Sequence, residues 1–239
     1  ESNSFAGRSN IMLGKKATGI FTGTDGMEKF FPAGKILVTG NPVRTSITVS
    51  TTSRDEGLRF FSLDESKKTV LVVGGSQGAK SINEAIDAEL DSLLDAGLQL
   101  IWQTGKPYAE KANKRVKDKI GVWAGEFITQ MEFGYAAADV VVARAGAMTV
   151  SELCVAKKPV VFIPYPYAAE DHQTVNAMQL VKKNAALIVK DSEVMEKLVT
   201  LAIGLAKEEE KQGELKRNIG VLAITDADEK IAEEILKAI

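Results

Sequence analysis

One cysteine in the chain, Cys154, rules out an internal disulfide, and one histidine with no Cys/His cluster around it offers no metal-ligand spacing. A reducing cytoplasm suits such a sequence. Long apolar runs are missing as well: none approaches the roughly 18 to 20 residues of a membrane span, and no basic-then-apolar leader precedes the first element. The chain therefore reads as soluble or at most peripheral. An excess of one charge is also absent, 30 Lys and Arg standing against 32 Asp and Glu. No global field draws the protein toward nucleic acid or an anionic membrane, so any anion site must be local. Internal repeats and low-complexity tracts are lacking too. What is present is enough chain, 239 residues, for one large domain or a domain and a half with a sizeable core. It opens with Glu1, and ESNSFAGRSNIMLGKKA reads as the body of an amphipathic helix and its entry turn. A piece of something longer is expected.

Short β-branched runs bounded by turn residues alternate with segments of helical period, which argues for βαβ units and a parallel sheet. Strands are expected at Thr69 to Val73, Leu98 to Gln103, Gly121 to Trp123, Val140 to Ala143, Val160 to Ile163 and Ala186 to Val189. Helices are expected near Ser81 to Ala96, Tyr108 to Lys117, Gln130 to Ala137, Thr149 to Ala156 and Gln173 to Lys183. A doubly wound domain of this kind binds ligands outside the carboxyl ends of its strands, so the strand-to-helix loops are the informative ones. An αβ stretch from Ser4 to Val38 precedes the unit and ends in the turn cluster Thr39-Gly40-Asn41-Pro42. Glu193 to Leu205, the charged run Lys207 to Ile219 and a last helix, Ala227 to Ile239, follow it. The charge run reads as a solvated helix face.

Three loops carry chemistry. Gly74-Gly75-Ser76-Gln77-Gly78-Ala79 follows a buried strand and opens a helix, where glycines allow a close phosphate approach and the helix dipole favours negative charge. It is neither GxGxxG nor a Walker A loop, and a purely structural tight turn is its alternative reading. Arg144-Ala145-Gly146-Ala147-Met148-Thr149-Val150-Ser151-Glu152 repeats the arrangement: Thr149 can cap the helix or donate to a phosphate. Glu152 can accept both hydroxyls of a ribose, or serve as the far end of a Thr-x-x-Glu capping box. The third loop, Pro164 to Ala177, crowds polar groups suited to a sugar, with His172 a hydrogen-bonding group, an exposed residue or a general base. Arg44 follows the turn cluster, and its guanidinium fork suits a diphosphate. Phe127-Ile128 is either plain core or a lip whose backbone reads a base edge.

GGSQGA, EFI, RAGAMTVSE and DHQTVNA, in that order, resemble the MurG-type N-acetylglucosaminyltransferases of peptidoglycan synthesis. The resemblance covers practically the whole chain. It implies an α/β protein of the two-domain GT-B fold: a doubly wound, Rossmann-like donor-binding domain at residues 43–222, a remnant of an N-terminal acceptor domain at 1–42, and a helix at 223–239 crossing back to that domain. Carried over residue by residue, Arg44 and Ser76 meet the diphosphate of UDP-N-acetylglucosamine with Gln77 close by. Ile128 meets uracil through its backbone, Thr149 a phosphate and Glu152 the ribose. Ala147 and Gln173 bind the N-acetylglucosamine, and His172 stands at a position that varies more. Glu1-Ser2-Asn3-Ser4 is similar to an HEQN-type motif without its histidine and with Ser2 at the Gln position, which makes Asn3 a substrate-binding candidate. The same likeness implies an inverting transfer to the C4 hydroxyl of a lipid-linked MurNAc-pentapeptide, with neither cofactor nor metal and no nucleic-acid partner. The general base and a peripheral contact with the inner face of the bacterial cell membrane are expected in the absent N-terminal part, leaving this chain poorly active alone. A UDP-N-acetylglucosamine 2-epimerase and a non-catalytic donor-binding module are the alternatives.

Overall fold

A computed structural model describes residues 1–237. Its first elements are α1 (Arg8–Gly14), β1 (Ile20–Thr22), β2 (Ile36–Val38), α2 (Thr45–Thr48) and α3 (Arg54–Phe60). Then come β3 (Thr69–Val73), α4 (Lys80–Ala88), α5 (Leu90–Asp95), β4 (Gln99–Gln103), α6 (Ala109–Val116) and β5 (Val122–Gly125). They are followed by α7 (Met131–Ala137), β6 (Val140–Ala143), α8 (Ala147–Ala156), β7 (Val160–Phe162), α9 (His172–Val181) and β8 (Leu187–Ile188). Three helices, α10 (Val194–Lys207), α11 (Glu209–Gly220) and α12 (Ala227–Lys237), complete the described chain.

Six of the strands form one sheet in the order β5-β4-β3-β6-β7-β8, all parallel. Chain order reverses between β3 and β6, which is the switch point of a doubly wound fold. The near-continuous Val/Ile/Leu runs of β3 and β6 follow from burial on both faces. On one face Leu71, Ile101, Val141 and Phe162 pack against Val43, which precedes α2, and against Ile47, Leu58, Tyr135, Leu153 and Leu180 from α2, α3 and α7–α9. On the other, Val70, Val72, Trp102 and Val142 pack against Ile82, Ile86, Leu198 and Ala202 from α4 and α10. A separate small core of Ala6, Ile20, Met27 and Phe31 holds the two-stranded β1–β2 unit.

The expected strands and helices are present, with differences that have physical causes. The single helix expected over Ser81 to Ala96 bends at Glu89, which leaves helical geometry (φ −108°, ψ 18°) and lets Leu90 and Leu93 stay fully buried. At the start of the chain the expected entry turn takes up Glu1 to Gly7 and the helix only Arg8–Gly14: the Glu1 carboxylate accepts the N–H groups of Asn3 and Gly7 (2.9 Å each) and Asn10 Nδ2 (2.8 Å), folding the segment ahead of α1. The helix expected from Thr149 begins two residues earlier, at Ala147, because Gly146 is already extended and takes the N-cap place. Of the last helix, Ala238 and Ile239 lie outside the described residues. Ala227 at its start is buried, while Ile235 and Leu236 are exposed. Among the described residues no helix is long and apolar enough to cross a membrane.

Cys154 lies on the inner side of α8, where burial pushes its thiol up to about 12. Almost no thiolate exists at neutral pH, so attack on a disulfide reagent needs local opening. The native chain is expected to react at least about a hundredfold more slowly than the urea-unfolded chain. Equal rates would mean that α8 is not packed in this way.

Candidate functional site

The carboxyl ends of β3 and β6 face each other across the switch point, and the loops that leave them carry most of the expected site. After β3, Gly75 turns the chain with φ +77°, and the Gly78 N–H donates to Gly75 O (3.0 Å) to close the turn ahead of α4. Ser76 and Gln77 stand exposed at its crown. Beneath it the backbone of the β4 loop approaches so closely that a Cβ on Gly105 would lie 2.1 Å from Gly78 N. Buried Asn83 holds this approach: its Nδ2 donates to Thr104 O (2.8 Å) and its Oδ1 accepts Trp102 Nε1 (2.9 Å). The turn is thus rigid from below and open above.

After β6 the backbone N–H groups at the start of α8 are bare of any side-chain cap. Ala147 is the first helical residue and Thr149 the third, so Thr149 does not cap the helix; its hydroxyl sits in the first turn, where it can meet an anion held by the helix end. Glu152 is not part of a capping box either. Its side chain turns inward, Oε1 accepting Arg44 Nη2 (2.8 Å) and Nε (3.1 Å) while Oε2 accepts the Tyr135 hydroxyl (2.9 Å). Arg44 and Glu152, 108 residues apart, are therefore in direct contact. Arg44 spends Nε and Nη2 on the carboxylate, its side chain is about half exposed (48%), and its remaining donors can reach outward.

Tyr135 was not legible as a site residue. It sits on α7 among Gly134, Ala136 and Ala137, and nothing local distinguishes it from core. Burial, and secondly the Glu152 charge, raise its phenol well above 10.0. Arg144 is the other residue whose role emerges only in three dimensions. From the end of β6 its Nη1 donates to Asp191 Oδ1 (2.6 Å), Ile163 O (3.1 Å) and Pro164 O (3.2 Å), and its Nη2 to Ser81 Oγ (3.0 Å). One guanidinium ties the start of α4 to the loops after β7 and β8.

In the third loop Gln173 Oε1 accepts the Tyr165 N–H (2.9 Å), which folds the loop back and leaves the amide nitrogen of Gln173 available. Glu170 and Asp171 both adopt left-handed backbone (φ 55° and 52°), a strained pair directly before α9. His172, the first residue of α9, has Nδ1 2.7 Å from Ala169 O, an exposed hydrogen bond within the loop. Asn3 is drawn to this region by buried Asn176, whose Nδ2 donates to Asn3 Oδ1 and Ala145 O (3.1 Å each) and whose Oδ1 accepts the Ser4 N–H (2.8 Å). Ile128 is buried in the core, so at the end of β5 it is Phe127 that projects. The structure thus brings Arg44, Glu152 and the α8 start together, sets Ser76 and Gln77 across the switch point, and leaves Ile128 with little surface of its own.

A parallel sheet of this order, with an open glycine turn and a bare helix start on either side of its switch point, is a doubly wound nucleotide-binding architecture, and the comparisons place it among the GT-B glycosyltransferases. Residues 69–235 match the glycosyltransferase family 28 C-terminal domain, and the chain belongs to that family. It is 47% identical, over 100% of its own length and 66% of the relative's, to a Parabacteroides distasonis protein named UDP-N-acetylglucosamine–N-acetylmuramyl-(pentapeptide) pyrophosphoryl-undecaprenol N-acetylglucosamine transferase. The chain thus spans about two thirds of that relative. A crystal structure of Acinetobacter baumannii MurG superposes with a TM-score of 0.80 at 28% identity, over 99% of this chain and 65% of that one. A UDP-N-acetylglucosamine 2-epimerase structure matches with a TM-score of 0.62 at 18% identity, covering 94% of this chain and 58% of its own, a likeness of fold alone.

Replacing Tyr135 by Phe leaves Glu152 Oε2 without its donor. A hydrogen bond to a buried charged group contributes about 1.5–3 kcal/mol, and Tyr135→Phe is expected to lower the unfolding free energy by about that much in urea titrations. The wild-type chain should also lose stability as pH rises above 10.0, where an unfolded phenol ionises and the Tyr135 phenol stays protonated. Tyrosinate absorbance recorded during alkaline unfolding, compared with Tyr135→Phe, reads this directly.

Proposed function

We propose that the chain is the donor-binding part of an N-acetylglucosaminyltransferase that moves N-acetylglucosamine from UDP-N-acetylglucosamine to the C4 hydroxyl of a lipid-linked MurNAc-pentapeptide. The observation that carries this reading is the Arg44–Glu152 contact beside the bare start of α8: a cation for a diphosphate and a carboxylate for a ribose, held at one helix end. The names of the relatives support the choice of sugar and acceptor. In this reading Ser76 and Gln77 face the diphosphate from the other side of the switch point. Thr149 donates to a phosphate, Ala147 and Gln173 hold the N-acetylhexosamine, His172 stands at the loop's edge, and Ile128, only 2% exposed, offers uracil no more than a sliver of backbone.

The transfer is inverting. The acceptor hydroxyl attacks the anomeric carbon, the bond to the donor's phosphate oxygen breaks, and UDP leaves with the charge that Arg44 and the starts of α4 and α8 accept. A helix end contributes about 0.3–1 kcal/mol and at best about 2, whereas enzymes lower barriers by about 8–23 kcal/mol. The larger contributions, approximation of the second substrate and a general base, belong to an acceptor domain. Residues 1–42 are then the edge of that domain, with Asn3 at the seam, and residues 43–222 the donor domain; the place of Val43 and Ile47 in the larger core supports the division. Residues 223–237 return toward the acceptor side. Such an enzyme works at the inner face of the cell membrane, which its acceptor domain touches peripherally.

Calorimetry of this chain should show UDP-N-acetylglucosamine binding one to one, weakened about ten- to a hundredfold by Glu152→Ala through loss of charge-assisted hydrogen bonds. A version extended at its N-terminus by a complete acceptor domain should transfer the sugar where this chain barely does. Unchanged donor affinity in Glu152→Ala would falsify the site. Acceptor-free conversion to UDP-N-acetylmannosamine would replace the transferase by an epimerase.

A further inference from the structure

At the opposite edge of the large sheet, where Asp139 leads into β6 and Pro159 into β7, a polar cleft of about 500 Å³ opens between α2, α7 and α11. Four cations line it, Arg54, Lys157, Lys158 and Lys216, against two carboxylates, Glu132 and Asp139. The carboxylate of Asp139 is already spent: Oδ2 accepts the Thr69 N–H (2.8 Å) and Arg54 Nη2 (3.2 Å), and Oδ1 lies 3.7 Å from Lys68 Nζ. Arg54 is spent with it, its other donations going to Glu65 O (2.9 Å) and Lys67 O (2.6 Å). What remains is three ammonium groups and the Glu132 carboxylate, and among the described residues none of Lys157, Lys158 and Lys216 has a carboxylate, that of Glu132 included, within 4.0 Å.

Lys158 is the deepest. Its Nζ donates to Ala138 O (2.9 Å) and Ala136 O (3.5 Å) at the carbonyl end of α7. Burial first, and the Lys216 charge second, pull its ammonium down to about 8. Like charges held in a recess are the electrostatic counterpart of a missing anion. The hydroxyl-bearing residues Thr48, Ser50 and Thr52 stand on the facing wall. Ammonium groups and hydroxyls arriving from separate elements match an acceptor with several oxygens pointing apart, which a phosphoryl group has and a single carboxylate lacks. The volume falls within the range of small-molecule sites.

We propose that this cleft is a second anion site, distinct from the donor crevice, that binds a phosphoryl-bearing ligand through Lys157, Lys158 and Lys216. Inorganic phosphate and pyrophosphate are the soluble probes, read by calorimetry on the chain with its donor site filled by UDP. Saturable binding of one pyrophosphate per UDP-loaded chain is expected. Because Lys157 and Lys216 are exposed and replaceable without loss of core, the double variant Lys157→Glu, Lys216→Glu carries the test: pyrophosphate affinity should fall at least about tenfold while UDP affinity stays unchanged. Lys158→Met should abolish the site, and the surface variant decides if that protein fails to fold. Cosedimentation with phosphatidylglycerol vesicles, absent with phosphatidylcholine and lost in the double variant, would assign the phosphoryl group to a lipid headgroup; pyrophosphate binding without cosedimentation assigns it to a soluble ligand. Neither kind of binding in the UDP-loaded chain, or binding that the double variant leaves intact, overturns the proposal.

Discussion

Parallel pairing across the six-stranded sheet governs the rest of the molecule. Parallel strands must return through crossovers that cover both faces, and here α2, α3 and α7–α9 cover one face while α4, α5 and α10 cover the other. With every strand running the same way, all strand-to-helix loops emerge at one edge. The reversal of strand order between β3 and β6 parts the first helix on each side, and the gap becomes a crevice. The site is therefore a consequence of strand direction before any polar residue is chosen. The lysine-lined cleft is the complement, formed where the same strands begin.

Strand positions were legible because burial on both faces writes continuous β-branched runs into the sequence, and VLVV and VVVA fell where they were expected. The loops were legible as loops, but their glycines were ambiguous for a good reason. Gly75 answers to its own backbone angle, and the Gly78–Gly105 approach answers to packing between the β3 and β4 loops. A structural turn thus accounts for Gly75 and Gly78, and it is the exposed Ser76 and Gln77 above a packed floor that make the turn suited to a ligand. Structural and binding roles coincide here instead of competing.

Helix starts were less legible. Thr149 carries the side chain of a cap, yet Gly146 takes that place, because a glycine in extended geometry lets the first N–H groups of α8 stay uncovered. Of the two readings of Thr149, the cap is excluded and donation to an anion stays open. Long-range pairs were not legible at all. Arg44 and Glu152 were each chosen for a different part of a nucleotide, and no spacing rule could reveal that they hold one another, or that Tyr135 from a third helix completes the set. Arg144 was visible as part of a motif, but its four hydrogen bonds go to residues from three other segments.

The pairing of Arg44 with Glu152 sets how strongly a nucleotide can gain from either. Arg44 is half exposed but the Glu152 side chain only 11% so, which leaves the ion pair screened on one side alone; drawing the guanidinium toward a diphosphate leaves the buried carboxylate to Tyr135. Tyr135 is different, because it is buried and its bond to Oε2 does not compete with solvent. Glu152 therefore keeps its orientation when Arg44 moves. A carboxylate has about four acceptor directions; Tyr135 and the two Arg44 donors hold three of them, and one is open. The acceptor is thus fixed by a buried phenol, while its cation stands half exposed at the crevice. In the proposed reading the fixed carboxylate is the partner of a ribose and the half-exposed guanidinium that of a diphosphate.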